Sequence, residues 1–131
     1  MSLARRKYLV KDVMTVNPVT VKPSSTVWEA VTRMASLDIG ALPVIDEEGK
    51  LVGIFTERDL LKRVIAKKLD PEKTLISEVM TPSPVSIDPE EPVENARFLM
   101  AKLKTRHLPV VDKDGRLIGI VSIRDIEYVE A

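Results

Sequence analysis

The chain has 131 residues, of which 44% are hydrophobic and 31% charged, a composition typical of a globular domain and not of a disordered or membrane-spanning chain. Its 20 basic and 20 acidic side chains cancel, which disfavours a general nucleic-acid-binding protein. The absence of cysteine excludes disulfides, thiolate zinc sites and cysteine nucleophiles. With no apolar run near ~20 residues and no signal-peptide core at the start, we expect a cytoplasmic protein without a membrane partner.

Five elements are predicted in order along the first half of the chain. Residues 18–21, "PVTV", follow a proline and are β-rich, which favours a short strand. Residues 25–37 carry apolar side chains at helical spacing, which predicts a helix with one buried face. Residues 41–46 and 51–56 are apolar runs around an acidic glycine turn, as in a β-hairpin. Residues 57–69 return to helical spacing and predict a second helix.

The second half of the chain repeats the first. A shift of 66 residues aligns residues 9–60 with residues 75–126 without a gap, and 22 of the 52 aligned positions are identical. The same five elements are therefore expected twice. We divide the chain into an N-terminal tail (residues 1–8), a first repeat (residues 9–68), a linker (residues 69–74) and a second repeat (residues 75–131).

The predicted fold class is α+β, mixed α/β, with two β-α-β-β-α repeats. A three-stranded unit with helices to one side buries its apolar face more completely when a second such unit packs on it. We therefore expect the two repeats to pair about a pseudo-two-fold axis.

Two pairs of segments carry a resemblance to a known family. They are "DVMTVNPVTV" with "EVMTPSPVSI", and "LPVIDEEGKLVGIFTERDL" with "LPVVDKDGRLIGIVSIRDI". In this order and duplication they resemble the cystathionine β-synthase (CBS) domain in its tandem arrangement, the Bateman module. The resemblance implies a regulatory module, not an enzyme, that binds an adenosyl ligand such as AMP, ADP, ATP or an S-adenosyl compound between the repeats. It also implies a homodimer formed through helices and an unknown regulated protein, which we expect to be a separate chain.

The tetrads "TERD" and "SIRD" occupy equivalent positions where a strand leads into a helix. A Thr or Ser followed three residues later by an acidic residue predicts a helix-capping box, which needs no ligand. The start of a helix also suits an anionic group. The resemblance implies that Thr56 and Ser122 contact the ligand and that Asp59 and Asp125 accept from the ribose hydroxyls. Capping and binding are compatible, because a carboxylate has two acceptor oxygens.

The resemblance also implies an adenine slot at each tetrad. An adenine ring needs an apolar slot, but ordinary core packing explains each of these residues individually at least as well. The implied walls are Ile54 or Ile120, together with Val19 and Thr20 or Val85 and Ser86.

The repeats differ just before "LPV". The first repeat has Gly40 and Ala41, and the second has Arg106 and His107. The resemblance implies that the two basic residues contact a phosphate group. In the family, such contacts often come from the other repeat, so Arg106 and His107 would serve the cleft of Asp59. Arg58 and Arg124 are further candidates for phosphate binding. We therefore expect two clefts that are alike for ribose and unlike for phosphate.

Two residues and the function itself leave alternatives open. His107, the only histidine, is either a ligand contact or a hydrogen-bonded structural group, and it lacks the partners of a metal site. Trp28, beside the buried stripe of its helix, is either a core residue or an anchor of a dimer contact; its counterpart, Glu94, does not suit a core position, which favours the interface. The alternative to a sensor is a ligand-free dimerisation or scaffold module whose tetrads serve only as helix caps.

Overall fold

The structure, a computed structural model, describes residues 7–130. Most of the predicted tail, residues 1–8, therefore lies outside the described residues. The helices are α1 (Val10–Val13), α2 (Val27–Leu37), α3 (Glu57–Asp59, continued by a π-helix at Leu60–Ile65), α4 (Ile76–Val79), α5 (Val93–Leu103) and α6 (Ile123–Glu130). The strands are β1 (Thr15–Val16), β2 (Ala41–Ile45), β3 (Leu51–Thr56), β4 (Thr81–Pro82), β5 (His107–Val111) and β6 (Leu117–Ser122).

The strands form two antiparallel three-stranded sheets, and each sheet takes its short strand from the other repeat. One sheet has the order β2-β3-β4, and the other has the order β1-β6-β5. In the first, Ile54 of β3 is opposite Thr81 of β4. In the second, Ile120 of β6 is opposite Thr15 of β1. The start of each sequence repeat therefore belongs to the sheet of the other repeat.

The two hydrophobic cores show the same exchange. The core under β2 and β3 contains Phe55 and Val64 of the first repeat and also Ile76 and Val79 of α4. The core under β5 and β6 contains Val10 of α1. Each core is thus closed by a short helix from the other repeat, so neither sequence repeat supplies its complete core. None of the helices within residues 7–130 is long and apolar enough to cross a bilayer.

Reciprocal hydrogen bonds confirm the predicted pairing about a pseudo-two-fold axis. At the hairpin tips, the Leu51 N–H donates to the Gly115 carbonyl at 3.1 Å, and the Leu117 N–H donates to the Gly49 carbonyl at 3.0 Å. The two bonds are equivalent, because a shift of 66 residues converts Leu51 into Leu117 and Gly49 into Gly115. A second pair of reciprocal hydrogen bonds lies at the starts of α2 and α5. The Val27 N–H donates to the Thr74 carbonyl at 2.9 Å, and the Val93 N–H donates to the Tyr8 carbonyl at 3.0 Å.

The predicted first strand of each repeat is wrong. Residues 18–21 and 84–87 do not form ladders; each reaches its sheet through one parallel bridge, Val21 with Val44 and Ile87 with Val110. The chain has just turned through left-handed residues at Asn17 (φ 50°) and Ser83 (φ 45°), and the proline that follows each of them has no N–H to donate. The short strands β1 and β4 form immediately before those turns instead. The α+β class with two repeats is confirmed.

Glycines in β3 and β6 allow the exchanged segments to approach closely. A Cβ on Gly53 would collide with the Met80 sulfur. A Cβ on Gly119 would lie 2.6 Å from the Met14 sulfur and 2.9 Å from the Thr15 carbonyl oxygen. The neighbouring atoms come from the other repeat and lie too close for a Cβ, so these two positions need glycine.

Candidate functional site

The junction between β3 and α3 is a capping box, as the sequence predicts. The Thr56 Oγ1 accepts from the Asp59 N–H at 3.2 Å, and Asp59 Oδ2 accepts from the Thr56 N–H at 3.0 Å. Asp59 Oδ2 also lies 3.1 Å from the Thr56 hydroxyl. Asp59 is buried, with 6% of its surface exposed. The carboxylate therefore lies below the surface and is held by the backbone at the start of the helix.

Two further residues contact the Asp59 carboxylate. The Thr81 hydroxyl, from β4, donates to Asp59 Oδ1 at 3.1 Å. Arg63 Nε, one turn along the helix, is 3.5 Å from the same oxygen. The Arg63 guanidinium also donates to the Met80 carbonyl at 2.9 Å. Asp59 thus joins its own helix to the segment that enters the second repeat.

The junction between β6 and α6 has the same capping box with fewer partners. Asp125 Oδ2 accepts from the Ser122 N–H at 2.8 Å, and Ser122 Oγ accepts from the Asp125 N–H at 3.2 Å. Asp125 is half-buried. The position that corresponds to Thr81 is Thr15, which is exposed, and the position that corresponds to Arg63 is Val129. The two carboxylates were expected to be alike, but their hydrogen bonding differs.

His107 lies between charged groups of both repeats. It is opposite Ser122 in the β5–β6 ladder and is half-buried. Burial lowers the pKa of His107 below its ordinary value, and the nearby Arg106 charge lowers it further. Asp125 and Glu57 oppose this shift of the pKa. Since Glu57 belongs to the first repeat, His107 lies near the boundary between the repeats.

One of the candidate phosphate-binding residues, Arg58, lies at the same boundary. Arg58, at the start of α3, donates from Nη1 to the Lys104 carbonyl at 3.2 Å and so connects the repeats. The carbonyls of Gly40 and Arg106 accept from the first N–H groups of α3 and α6, at 3.1 and 2.9 Å. Arg106 and Arg124 are exposed, whereas Ala41 is buried. Just before "LPV", the second repeat therefore has the exposed Arg106 and the half-buried His107, where the first repeat has Gly40 and the buried Ala41.

The candidate adenine-binding residues do not all come together. Ile54 is buried beside Thr81, and Ile120 is half-buried beside Thr15. Val19 and Val85 are exposed, at 38% and 47%. The Thr20 carbonyl accepts from Arg33 Nη1 at 2.6 Å. Ser86 lines a groove of about 330 Å³ against α5, together with Asn95 and Phe98.

The residues around Asp59 that the sequence reasoning missed are Thr81, Arg63 and Glu57. The repeated "MT" at residues 14–15 and 80–81 was a signal for Thr81, although not for its partner. Arg63 carried no such signal, because its counterpart is Val129. Within residues 7–130 no group of three or more His, Cys, Asp or Glu side chains could hold a metal ion. The geometry offers carboxylates, hydroxyls and guanidinium groups, which suit a polar small molecule.

Comparison with known proteins agrees with the repeat structure. The CBS domain family model matches residues 10–66 and residues 76–129. The CBS domain-containing protein YhcV of Bacillus subtilis is 42% identical over 117 residues, which cover 89% of this chain and 81% of YhcV.

Two solved structures that share the fold are complexes with adenosyl ligands. The CBS domain pair of protein MJ0100, in complex with 5′-methylthioadenosine and S-adenosyl-L-methionine, has a TM-score of 0.86 and 35% identity over 95% of this chain and all of that chain. CBSX2 in complex with AMP has a TM-score of 0.82 and 35% identity over 94% of this chain and 96% of that one.

Proposed function

The chain belongs to the CBS domain family as a tandem pair, and from this premise we propose that it is a regulatory sensor of an adenosyl ligand. The candidate ligands are AMP, ADP, ATP and S-adenosyl compounds, and we propose no catalytic activity. The observation that carries the proposal is the duplicated Ser/Thr-to-Asp capping box, which places a carboxylate at the equivalent strand-to-helix junction of each repeat. The adenosyl ligands of the MJ0100 pair and of CBSX2 support the choice of ligand class.

The proposed ligand contacts follow from the chemistry of an adenosyl group. The ribose offers two adjacent hydroxyls, which an Asp carboxylate accepts, so a deoxyribose analogue binds more weakly. The aliphatic side chains of Ile54 and Ile120 suit the faces of an adenine ring. An anionic group beyond the ribose suits Arg106 and His107, with Arg58 and Arg124 as further cations.

The proposed signal is an ordering of one repeat on the other. Arg58 already bonds to the Lys104 carbonyl across the boundary. A ligand that touches both repeats at this boundary favours one relative orientation of their helices. Its occupancy then changes the population of the surface that a partner protein recognises. The proposed assembly is a homodimer that acts on a separate regulated protein; the cytoplasmic location stays a prediction.

Thermal-shift and calorimetric titrations test this function. The panel is AMP, ADP, ATP, S-adenosylmethionine and 5′-methylthioadenosine, with the 2′-deoxy form of any ligand that binds as the matched control. A ligand at 100 times its Kd is expected to add about 2.7 kcal/mol to the free energy of unfolding. A protein that no compound in the panel stabilises contradicts the proposal.

A scaffold without a ligand is the second candidate. It is favoured by the capping boxes, whose hydrogen bonds are already made within the chain, and by exposed apolar side chains such as Trp28 and Ile65. A scaffold dimerises with no adenosyl compound present and gains no stability from any of them. A sensor responds to at least one ligand, and the response is lost with the carboxylates.

A further inference from the structure

Three hydrogen bonds and one ion pair already engage the Asp59 carboxylate. Oδ2 accepts from the N–H of Thr56 and lies within hydrogen-bond distance of its hydroxyl, at 3.0 and 3.1 Å. Oδ1 accepts from the Thr81 hydroxyl at 3.1 Å and faces Arg63 Nε at 3.5 Å. A carboxylate has about four lone-pair sites, so three of them are occupied by hydrogen bonds and the fourth faces the Arg63 charge. The side chain is also only 8% exposed.

Asp125 differs from Asp59 in the partners of its Oδ1 oxygen. Oδ2 accepts from the Ser122 N–H at 2.8 Å. Among the described residues, no hydrogen bond or ion pair reaches Oδ1, and the side chain is half-buried. The difference follows from the sequence, because the position of Arg63 is taken by Val129 and Thr15 is exposed. Asp125 therefore keeps acceptor capacity toward solvent that Asp59 has lost.

We propose that the two clefts differ in their affinity for ligand. An adenosyl ligand binds in the cleft at Asp125, whereas Thr81 and Arg63 block the cleft at Asp59. This inference rests on the proposed function, since it names which of the two clefts the ligand fills. A ribose that approaches Asp59 must displace the Thr81 hydroxyl and the Arg63 guanidinium, so it exchanges hydrogen bonds and gains none. A ribose at Asp125 adds hydrogen bonds to a charged acceptor, which favours that cleft by about 10- to 100-fold.

The residues that close Asp59 also connect it to the second repeat. Thr81 is part of β4, and Met80, whose carbonyl accepts from Arg63 at 2.9 Å, precedes it. Together they fasten α3 to the segment that runs into the second repeat. The closed cleft thus has a structural role, which leaves the Asp125 cleft as the one that changes with ligand.

Isothermal titration calorimetry with AMP and with S-adenosylmethionine tests the proposal through stoichiometry. The wild-type protein is expected to bind one ligand per chain, and Asp125→Ala is expected to weaken that binding at least about 10-fold. The double variant Arg63→Val and Thr81→Val is expected to bind a second ligand per chain. It places valine at position 63, as at the equivalent Val129, and removes the Thr81 donor. Thermal melting verifies that each variant is folded.

The outcomes separate this inference from the function on which it rests. Two ligands of equal affinity in the wild type, or full binding by Asp125→Ala, overturn the inequality and leave the sensor intact. A double variant that still binds one ligand shows that Thr81 and Arg63 do not close the cleft. A wild type that binds neither of these compounds nor any other member of the thermal-shift panel overturns the sensor and this inference together. One ligand lost with Asp125 and a second gained in the double variant establish the inference.

Discussion

The Thr81 hydroxyl, in the second sequence repeat, donates to Asp59 Oδ1, in the first, at 3.1 Å. The bond is a consequence of the strand exchange, because β4 pairs with β3 and places Thr81 opposite Ile54, near the end of β3. The corresponding residue, Thr15, pairs with β6 in the same register but is exposed. One interaction thus distinguishes two halves that are otherwise closely similar.

Replacing Thr81 is expected to destabilise the protein, and replacing Thr15 is not. Thr81→Val removes a hydroxyl that donates to a buried carboxylate and is expected to lower the free energy of unfolding by about 1 to 2 kcal/mol. Thr15→Val, the matched control, is expected to change it by less than about 0.5 kcal/mol. Urea denaturation measures both. Equal losses from the two variants would show that the Thr81 hydrogen bond contributes nothing of its own.

Replacing Asp59 is expected to lower the free energy of unfolding more than replacing Asp125. Asp59→Ala leaves the Thr56 N–H, the Thr81 hydroxyl and Arg63 without their acceptor, at a cost of about 2 to 4 kcal/mol. Asp125→Ala removes only half of a capping box, at a cost of about 1 kcal/mol. Both losses are read from chemical denaturation without ligand. A larger loss from Asp125→Ala would contradict the partner sets described above.

Much of the fold could be predicted from the sequence, because it depends on local patterns. Apolar spacing predicted α2 and α5, and the acidic glycine turns predicted both hairpins. The repeat predicted the pseudo-two-fold pairing. The strand exchange could not be predicted, since a shift of 66 residues shows which segments are equivalent but not which copy each one packs against. The short strands β1 and β4 have two residues each, too few for a period to be visible.

The site was predicted in part for a similar reason. The capping boxes at Thr56 and Ser122 depend on four consecutive residues, so the sequence contains the whole signal. The partners of Asp59 depend on contacts between distant segments, and one of them, Arg63, is not repeated. The equivalent tetrads, "TERD" and "SIRD", therefore suggested equal sites, whereas the residues that make the sites unequal lie outside the tetrads.

Alanine at the two crossing glycines is expected to be costly, and more so at Gly119. A Cβ at Gly119 meets a backbone oxygen, that of Thr15 at 2.9 Å, which cannot move without β1. At Gly53 the nearest atoms belong to the flexible Met80 side chain, which can change rotamer. We expect a loss of about 2 to 3 kcal/mol for Gly119→Ala and about 1 kcal/mol for Gly53→Ala, measured by thermal and urea unfolding. The reverse order would show that β1 shifts more easily than the Met80 side chain.

His107 is expected to make stability depend on pH below neutrality. Burial and Arg106 lower the pKa of the folded His107 below about 6.5, although Asp125 and Glu57 oppose the change. The unfolded chain then binds more protons in this window, so the contribution of His107 is present above pH ~6.5 and is lost as the pH falls through the folded pKa. His107→Ala, which introduces the residue found at Ala41, is expected to flatten the melting temperature between pH 7 and pH 5. Parallel profiles for wild type and variant would show that another group causes the dependence.

Trp28 is expected to lie in the interface of the proposed homodimer. It is 50% exposed on α2, and its counterpart on α5 is Glu94. A large apolar side chain in such a position is typical of an interface anchor, whose loss costs 2 kcal/mol or more, about a 30-fold weaker association. Trp28→Glu introduces the residue of the other repeat and is expected to shift sedimentation from dimer toward monomer, whereas Glu94→Gln, the matched control, leaves it unchanged. Because Trp28 is not among the buried core residues, the variant should melt at nearly the wild-type temperature as a monomer. A wild type that sediments as a monomer at every concentration contradicts the dimer itself, and a Trp28→Glu protein that stays dimeric moves the interface to another face.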